Sequence, residues 1–227
     1  MAIALIAPSA RKIAFIPSLR MLQVGGLIAS CAVTAFATEN QAPELSIGNR
    51  WTYRMVQGPL TYNPARLIFE RTVVVQRRTQ DFYLVAVSVS ASSSNAQRTE
   101  GNRRIAFDLN WLFRQTPDMP FAKLEFLKWP LTPGQKWTFA VPQVDGVDRV
   151  YDVEVREWEQ ISVPAGTFRA IAITAKSRKL GGGPAETSLS FWFSPDVKAI
   201  LKEVIVEHSG PAVVRSEDTE LVSYDLK

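Results

Sequence analysis

Apolar and polar residues alternate in short runs along most of the chain beyond residue 49. Between Arg149 and Arg156, Tyr151, Val153 and Val155 fall on one side, and Asp152, Glu154 and Arg156 on the other. A period of two is that of a strand with one buried and one wet face. Arg50 to Gln57 follows the same rule, with Trp51, Tyr53 and Met55 together. Leu67 to Gln76, Phe82 to Ser90, Phe168 to Ala175, Ser188 to Phe193, Ala199 to Glu207 and Val213 to Tyr224 are rich in β-branched and aromatic residues. The pattern predicts roughly ten strands. Asp145-Gly146 suits a two-residue hairpin turn, and Val163-Pro164-Ala165-Gly166-Thr167 a tight connection, because Pro presets its φ and Gly accepts a positive one. Gly181-Gly182-Gly183-Pro184 and Ser92-Ser93-Ser94-Asn95 read as looser links. No long amphipathic helix is legible. Asn110 to Lys128, with Pro117 and Pro120 inside it, reads as a helical turn or irregular crossing. The expectation is an all-β domain over 45–227: a single curved antiparallel sheet or half-open β-barrel.

Ahead of residue 38 the pattern is different. Residues 1–20 carry Arg11, Lys12 and Arg20 with no acid, and Met21 to Ala37 is nearly free of charge. That run ends in Ala35-Phe36-Ala37, followed by polar Thr38-Glu39-Asn40. A basic start, an apolar middle and small residues at the cleavage position make a secretory signal peptide, here 1–37, with 38–44 a short linker. A second ending is written in the same segment. Leu27-Ile28-Ala29-Ser30-Cys31 resembles a bacterial lipobox, whose cysteine is acylated and becomes the first mature residue. The apolar run continues past Cys31 to Ala37, which favours plain cleavage after Ala37. Met21 is an alternative start, and a retained leader would be short for a membrane span. The expected location is periplasmic or secreted, or membrane-tethered if Cys31 is lipidated.

Charge and cysteine change meaning once the leader is set apart. The chain of 227 residues carries 26 basic and 22 acidic side chains, a formal +4. Three of the basic ones lie in the leader, so the remainder carries 23 against 22. That balance excludes a nucleic-acid-binding surface. Cys31 is the only cysteine, which leaves the β domain without an internal disulfide or a thiolate ligand.

A shift of 86 residues superposes Leu45 to Tyr53 (LSIGNRWTY) on Leu131 to Phe139 (LTPGQKWTF), and Phe82 to Ser88 on Phe168 to Thr174. A two-fold repeat, with halves 45–130 and 131–227, is one reading, and generic strand and turn composition is the other. Trp111 followed by Pro117 echoes Trp192 followed by Pro195 at a different offset.

Catalytic constellations are not legible. His208 is the only histidine and reads as a strand-end residue, so a zinc site of the usual ligand types is not expected. No nucleophile elbow, P-loop or EF-hand spacing is present. Asp152 with Glu154, and Glu217 with Asp218 and Glu220, are the carboxylate groups a hydrolase would need, and both read as charged outer faces. Arg77-Arg78 and Arg98, Arg103 and Arg104 read as a solvated rim, or as contacts to anionic head groups or polysaccharide. No cofactor is implied. Six tryptophans are many for this length, and aromatic-lined β concavities are where apolar ligands sit. The candidate lining residues are Trp51, Tyr53, Trp137, Phe168 and Trp192.

Trp51-Thr52-Tyr53, Val163 to Phe168, Trp192-Phe193-Ser194-Pro195 and Glu220 to Tyr224 together resemble a set of exported bacterial β proteins. These look similar to the lipoprotein-localisation-factor type of half-open barrel. The resemblance spans roughly 44–227 and implies a curved sheet around an apolar concavity, with no catalytic residue to carry over. The helical lid of such half-barrels has no counterpart in this chain. Three functions follow as expectations: a non-enzymatic envelope module binding a lipid or other apolar ligand, an assembly partner of other envelope proteins, or, more remotely, a carboxylate-based hydrolase. Oligomeric state is not legible.

Overall fold

The computed structural model describes residues 41–58, 66–91, 97–114, 116–143, 148–179 and 186–227. The leader with Cys31, the Asp145-Gly146 turn, and the links at Ser92 to Asn95 and Gly181 to Pro184 lie outside them.

Twelve strands form one antiparallel sheet. In chain order they are β1 Arg50–Gln57, β2 Leu67–Arg78, β3 Phe82–Ala91, β4 Gln97–Ala106, β5 Trp111–Phe113, β6 Ala122–Leu124, β7 Lys136–Val141, β8 Arg149–Val163, β9 Gly166–Lys179, β10 Thr187–Ser194, β11 Ala199–Ser209 and β12 Ala212–Asp225. Each strand pairs with its neighbours in sequence except at β6 and β7, the two edges, and β12 returns to pair with β1. The result is an up-and-down meander curled into a nearly closed barrel, open only where β6 and β7 meet without strand pairing. Trp137 bridges that opening by donating from Nε1 to the Glu125 carbonyl at 2.7 Å.

The expected all-β sheet is present, with two strands more than the roughly ten predicted. Among the described residues Asn110 to Lys128 holds no helix; it is an irregular crossing that carries the short strands β5 and β6. Three-residue strands leave no period to detect. In β8, Val153 and Val155 are buried and Asp152 is exposed, as the alternation requires. The outer wall carries ion pairs: Arg54 with Glu220 at 3.1 Å, Lys202 with Glu220 at 2.9 Å, and Arg178 with Asp152 at 3.2 Å. Hydrocarbon-facing strands of a membrane barrel do not carry such charges. Among the described residues no helix is long and apolar enough to cross a membrane.

Two apolar clusters fill the interior. One gathers Trp51, Tyr53, Val75, Tyr83, Val85, Leu201 and Leu221, and the other Phe139, Val155, Ile171, Ile173, Phe191 and Phe193. Leu109 packs against both.

The two segments that match across 86 residues fold alike. Gly48 N donates to Val75 O at 2.8 Å, Asn49 N to Ser46 O at 3.0 Å, and Val75 N to Asn49 O at 2.9 Å. Gly134 N donates to Val155 O at 2.9 Å, Gln135 N to Thr132 O at 3.0 Å, and Val155 N to Gln135 O at 2.9 Å. Both glycines have positive φ, 92° and 84°, which a residue bearing Cβ adopts only under strain. Each turn launches a tryptophan strand, and each partner strand bulges just after its valine. The second match slips: Val75 faces Val85 while Val155 faces Ile173, a displacement of two residues that preserves the face. Trp111 and Trp192 are not equivalents, since they sit in β5 and β10, the fifth and fourth strands of their halves.

Candidate functional site: the barrel lumen

Alternation aims Trp51 and Tyr53 from β1, and Arg71 and Val73 from β2, into the barrel. Ile105 of β4, Trp111 of β5, Phe193 of β10, Lys198, and Ala199, Ile200 and Glu203 of β11 line the same inner chamber of about 200 Å³, with Leu45 beside them. Leu109 and Leu127 close one side of it. They are placed by Asn110, whose Nδ2 donates to the Leu127 carbonyl at 2.5 Å and whose Oδ1 accepts from the Leu127 amide at 2.9 Å. Trp51 is fixed by donation from Nε1 to the Val197 carbonyl at 2.8 Å.

An outer chamber of about 540 Å³ shares Arg71, Val73 and Trp111 with the inner one. Arg103, Phe113 and Leu124 line it from the inward face, whereas Arg104 alternates with buried Ile105 and stacks on Phe82 and Phe121 on the other face of the sheet. The two spaces adjoin a common wall, and the outer one falls in the size range of small-molecule pockets, ~300–1,000 Å³.

Where the chambers meet, Arg71 lies 5.0 Å from the Tyr53 ring centre and 3.9 Å from the Glu203 carboxylate. That pair is long for a charge-assisted bond, and Arg71 Nε is buried without a hydrogen-bond partner among the described residues. Burial pushes the Glu203 carboxyl above its ordinary range; Arg71 offsets part of this, Glu217 adds to it, and Arg215 opposes it. A quarter of the Glu203 side chain remains accessible, because it borders the chamber while protein surrounds it. Burial also raises the Tyr53 phenol, against the pull of Arg71, so the ring stays neutral.

Beyond this junction the interior turns polar. Arg215 bonds Glu207 at 3.0 Å and Glu217 at 2.9 Å, Gln57 Nε2 donates to Glu217 at 3.1 Å, and Arg149 pairs with Glu186 at 3.1 Å. Burial raises the Tyr151 phenol, with Arg149 opposing.

Of the five aromatics expected to line a concavity, Trp51 and Tyr53 are together in the inner chamber. The other three are elsewhere. Trp137 spans the β6–β7 opening. Phe168 packs edge-on against Tyr224 at 5.9 Å, beside the β8–β9 turn. Trp192 alternates with the buried Phe191 and Phe193 and so faces outward, donating from Nε1 to Glu159 Oε1. Asp152 and Glu154 are on the outer wall, Glu154 paired with Lys136 at 3.3 Å and Arg156 at 3.0 Å. The acidic group near the C-terminus divides. Asp218 pairs on the outside with Lys202 at 3.5 Å, whereas Glu217 is buried and faces inward, contrary to the outer-face reading. Arg78 pairs with Glu44 at 3.5 Å and stacks 5.2 Å from Phe107. The Arg98 side chain lies outside the described residues. His208 ends β11 beside a bulge and lines neither chamber. Among the described residues no cluster of ligand-type side chains is arranged to hold a metal ion.

Sequence reasoning missed Arg71, Trp111, Leu127 and Glu203. The available signal was parity: Arg71 falls in step with Val73 and Val75, and Glu203 in step with Ile205 and Glu207.

No family model matches this chain, and no curated protein does. Solved structures do align with it. A β-barrel-like protein of domain of unknown function DUF1849 from Brucella abortus is 9% identical, with TM-score 0.48 over 82% of this chain and 100% of that one. A candidate exported protein with a YmcC-like fold from Bacteroides fragilis is 12% identical, with TM-score 0.43 over 82% and 99%. The hypothetical lipoprotein YmcC from Escherichia coli is 11% identical, with TM-score 0.35 over 86% and 98%. Function is therefore read from this chain's own residues.

Proposed function

We propose that this chain is an exported, non-enzymatic envelope protein whose barrel lumen binds a lipid or other apolar ligand. The inner chamber walled by Trp51, Tyr53, Val73, Ile105, Trp111 and Phe193, with a second chamber adjoining it at Val73 and Trp111, carries the reading. A barrel serving only as a scaffold fills this space with side chains, because an empty apolar chamber forfeits packing on every wall. The leader supports export, and the resemblance to lipoprotein-localisation-factor half-barrels points to the same ligand class. A membrane tether enters only through acylated Cys31 or a retained leader.

Native mass spectrometry of the protein from its own compartment, together with titration by the neutral fluorophore N-phenyl-1-naphthylamine, tests the reading. The expected result is a co-purifying apolar adduct and saturable dye uptake at one site. A bare protein that takes up no dye overturns it. The unpaired edges of β6 and β7 favour the second reading, an assembly partner that adds a strand there. Crosslinking to a protein partner at Lys136 or Lys123, with an empty lumen, would be its signature.

A further inference from the structure

Two arginines that face the lumen are held differently. Arg215 makes close pairs with Glu207 and Glu217, at 3.0 and 2.9 Å. Arg71 stands 3.9 Å from Glu203, about 1 Å beyond a charge-assisted bond. Its guanidinium lies over the Tyr53 ring, 5.0 Å from the centre. Stacking occupies a face of the guanidinium and leaves its in-plane N–H groups for an acceptor. Arg71 Nε is buried with no hydrogen-bond partner among the described residues, yet 27% of the side chain is accessible. That accessible part borders the two chambers, since Arg71 lines both.

The charge on the inner wall decides which acceptor fits. Among the described residues Arg71 and Lys198 are its cations and Glu203 its only carboxylate. Lys198 Nζ donates to a neutral partner, the Glu44 carbonyl, at 2.9 Å. Two cations against one carboxylate leave a single positive charge for a ligand to neutralise. A dianion would overshoot that balance beside Glu203, at a distance where like charges in an enclosed site repel strongly.

Resting on the reading of the lumen as an apolar-ligand site, we propose that Arg71 anchors the head of a single-chain amphiphile bearing one carboxylate. The carboxylate meets the guanidinium edge that Glu203 leaves unfilled, and the chain lies against Trp51, Tyr53, Trp111 and Phe193. The planar fork of Arg71 matches a carboxylate with two parallel hydrogen bonds.

The test compares laurate, dodecanol and dodecyl phosphate by calorimetry, all below their aggregation concentrations at mildly alkaline pH. Laurate binds about tenfold tighter than dodecanol or more, the worth of a hydrogen bond to a charged group. Dodecyl phosphate, a dianion there, binds no tighter than laurate. The gap between laurate and dodecanol changes by less than about threefold from low to high salt, because an enclosed pair is screened little. In R71Q, checked for folding by circular dichroism, the gap closes to within about twofold. If R71Q does not fold, R71K keeps the charge without the planar fork and narrows the gap. E203Q widens it, since the competing carboxylate is gone. Four results overturn the anchor and leave the apolar-ligand reading standing: equal binding of laurate and dodecanol, a gap abolished by salt, a gap unchanged in the folded Arg71 variant, or one that closes as far in E203Q. Tighter binding of the phosphate overturns the single-carboxylate head. Failure of all three probes overturns the anchor, and refusal of the neutral dye as well overturns both readings.

Discussion

Asn110 offers the sharpest energetic test, because one side chain replaces a missing piece of sheet. It is 2% exposed and clamps both backbone groups of Leu127, just past β6, where no partner strand continues. N110A deletes both bonds and leaves a buried N–H and a buried C=O with no replacement. Each orphan costs ~1–3 kcal/mol, so the loss is ~2–6 kcal/mol against a total stability of ~5–15 kcal/mol. At ~2–4 °C per kcal/mol for a domain of this length, the melting point falls by at least ~4 °C. N110D separates hydrogen bonding from volume. One carboxylate oxygen still accepts from the Leu127 amide, but the other faces the Leu127 carbonyl, so the isosteric variant loses stability on the same scale. Urea unfolding followed by tryptophan fluorescence measures both. Leu127 also walls the inner chamber, so N110A takes up more N-phenyl-1-naphthylamine at sub-denaturing urea. If both variants unfold within ~0.5 kcal/mol of the parent, the range of an ordinary surface change, the clamp is not what holds this side of the lumen.

Two further outcomes are expected. G134A costs ~1–2 kcal/mol for forcing Cβ into positive φ, and G48A the same once Lys227, whose Cγ lies 3.3 Å from the added Cβ, is truncated to Ala in the background; clearly unequal losses in urea unfolding in that background count against equivalence of the two turns, and with it against half-repeats 45–130 and 131–227. The two carboxylates Glu203 and Glu220 give pH slopes of opposite sign. Folding raises the Glu203 value, mainly by burial, so the folded state binds the proton more tightly. That contribution is full below the ordinary carboxylate range and is lost as pH rises through the raised folded value; E203Q removes the slope. Glu220 is lowered, first by its hydrogen bond from Lys202, so its contribution is present above the ordinary range and is lost as pH falls through the lowered value. E220Q removes that slope at a cost below ~1 kcal/mol, as for other surface pairs. Unfolding free energies across pH, with both slopes intact in either variant, would refute the assignment.

What was legible in the sequence depended on whether one face of a strand was uniformly apolar. β8 was readable because Val153 and Val155 alternate with Asp152 and Glu154. β11 was readable as a strand but not in its orientation: Glu203, Ile205 and Glu207 share one face, and Lys202, Val204, Val206 and His208 the other. Neither face is apolar, so period alone does not say which is inside. Glu217 was grouped with Asp218 and Glu220 by adjacency, although parity separates it from both. Trp192 was chosen as an aromatic rather than by step with Phe191 and Phe193, which are the residues that point inward. The lumen itself was beyond reach of the sequence, since it depends on β12 closing onto β1 and on the clamp between Asn110 and Leu127.

The mixed interior bears on function through its cost. Carboxylates inside a barrel lose hydration, and well-packed apolar side chains of similar volume often do as well or better for stability. Where the interior is fully paired, as in Gln57–Glu217–Arg215–Glu207, hydrogen bonds of 2.9–3.1 Å offset that loss. At the chamber junction they do not: Arg71 and Glu203 stand 3.9 Å apart, and Arg71 Nε has no partner among the described residues. This unsatisfied nitrogen is thus on the wall shared by the two chambers. A core selected for stability alone gains by pairing that nitrogen or removing it. Its place on the chamber wall, beside Trp51 and Tyr53, is what a lumen kept for a ligand requires and a packed scaffold does not.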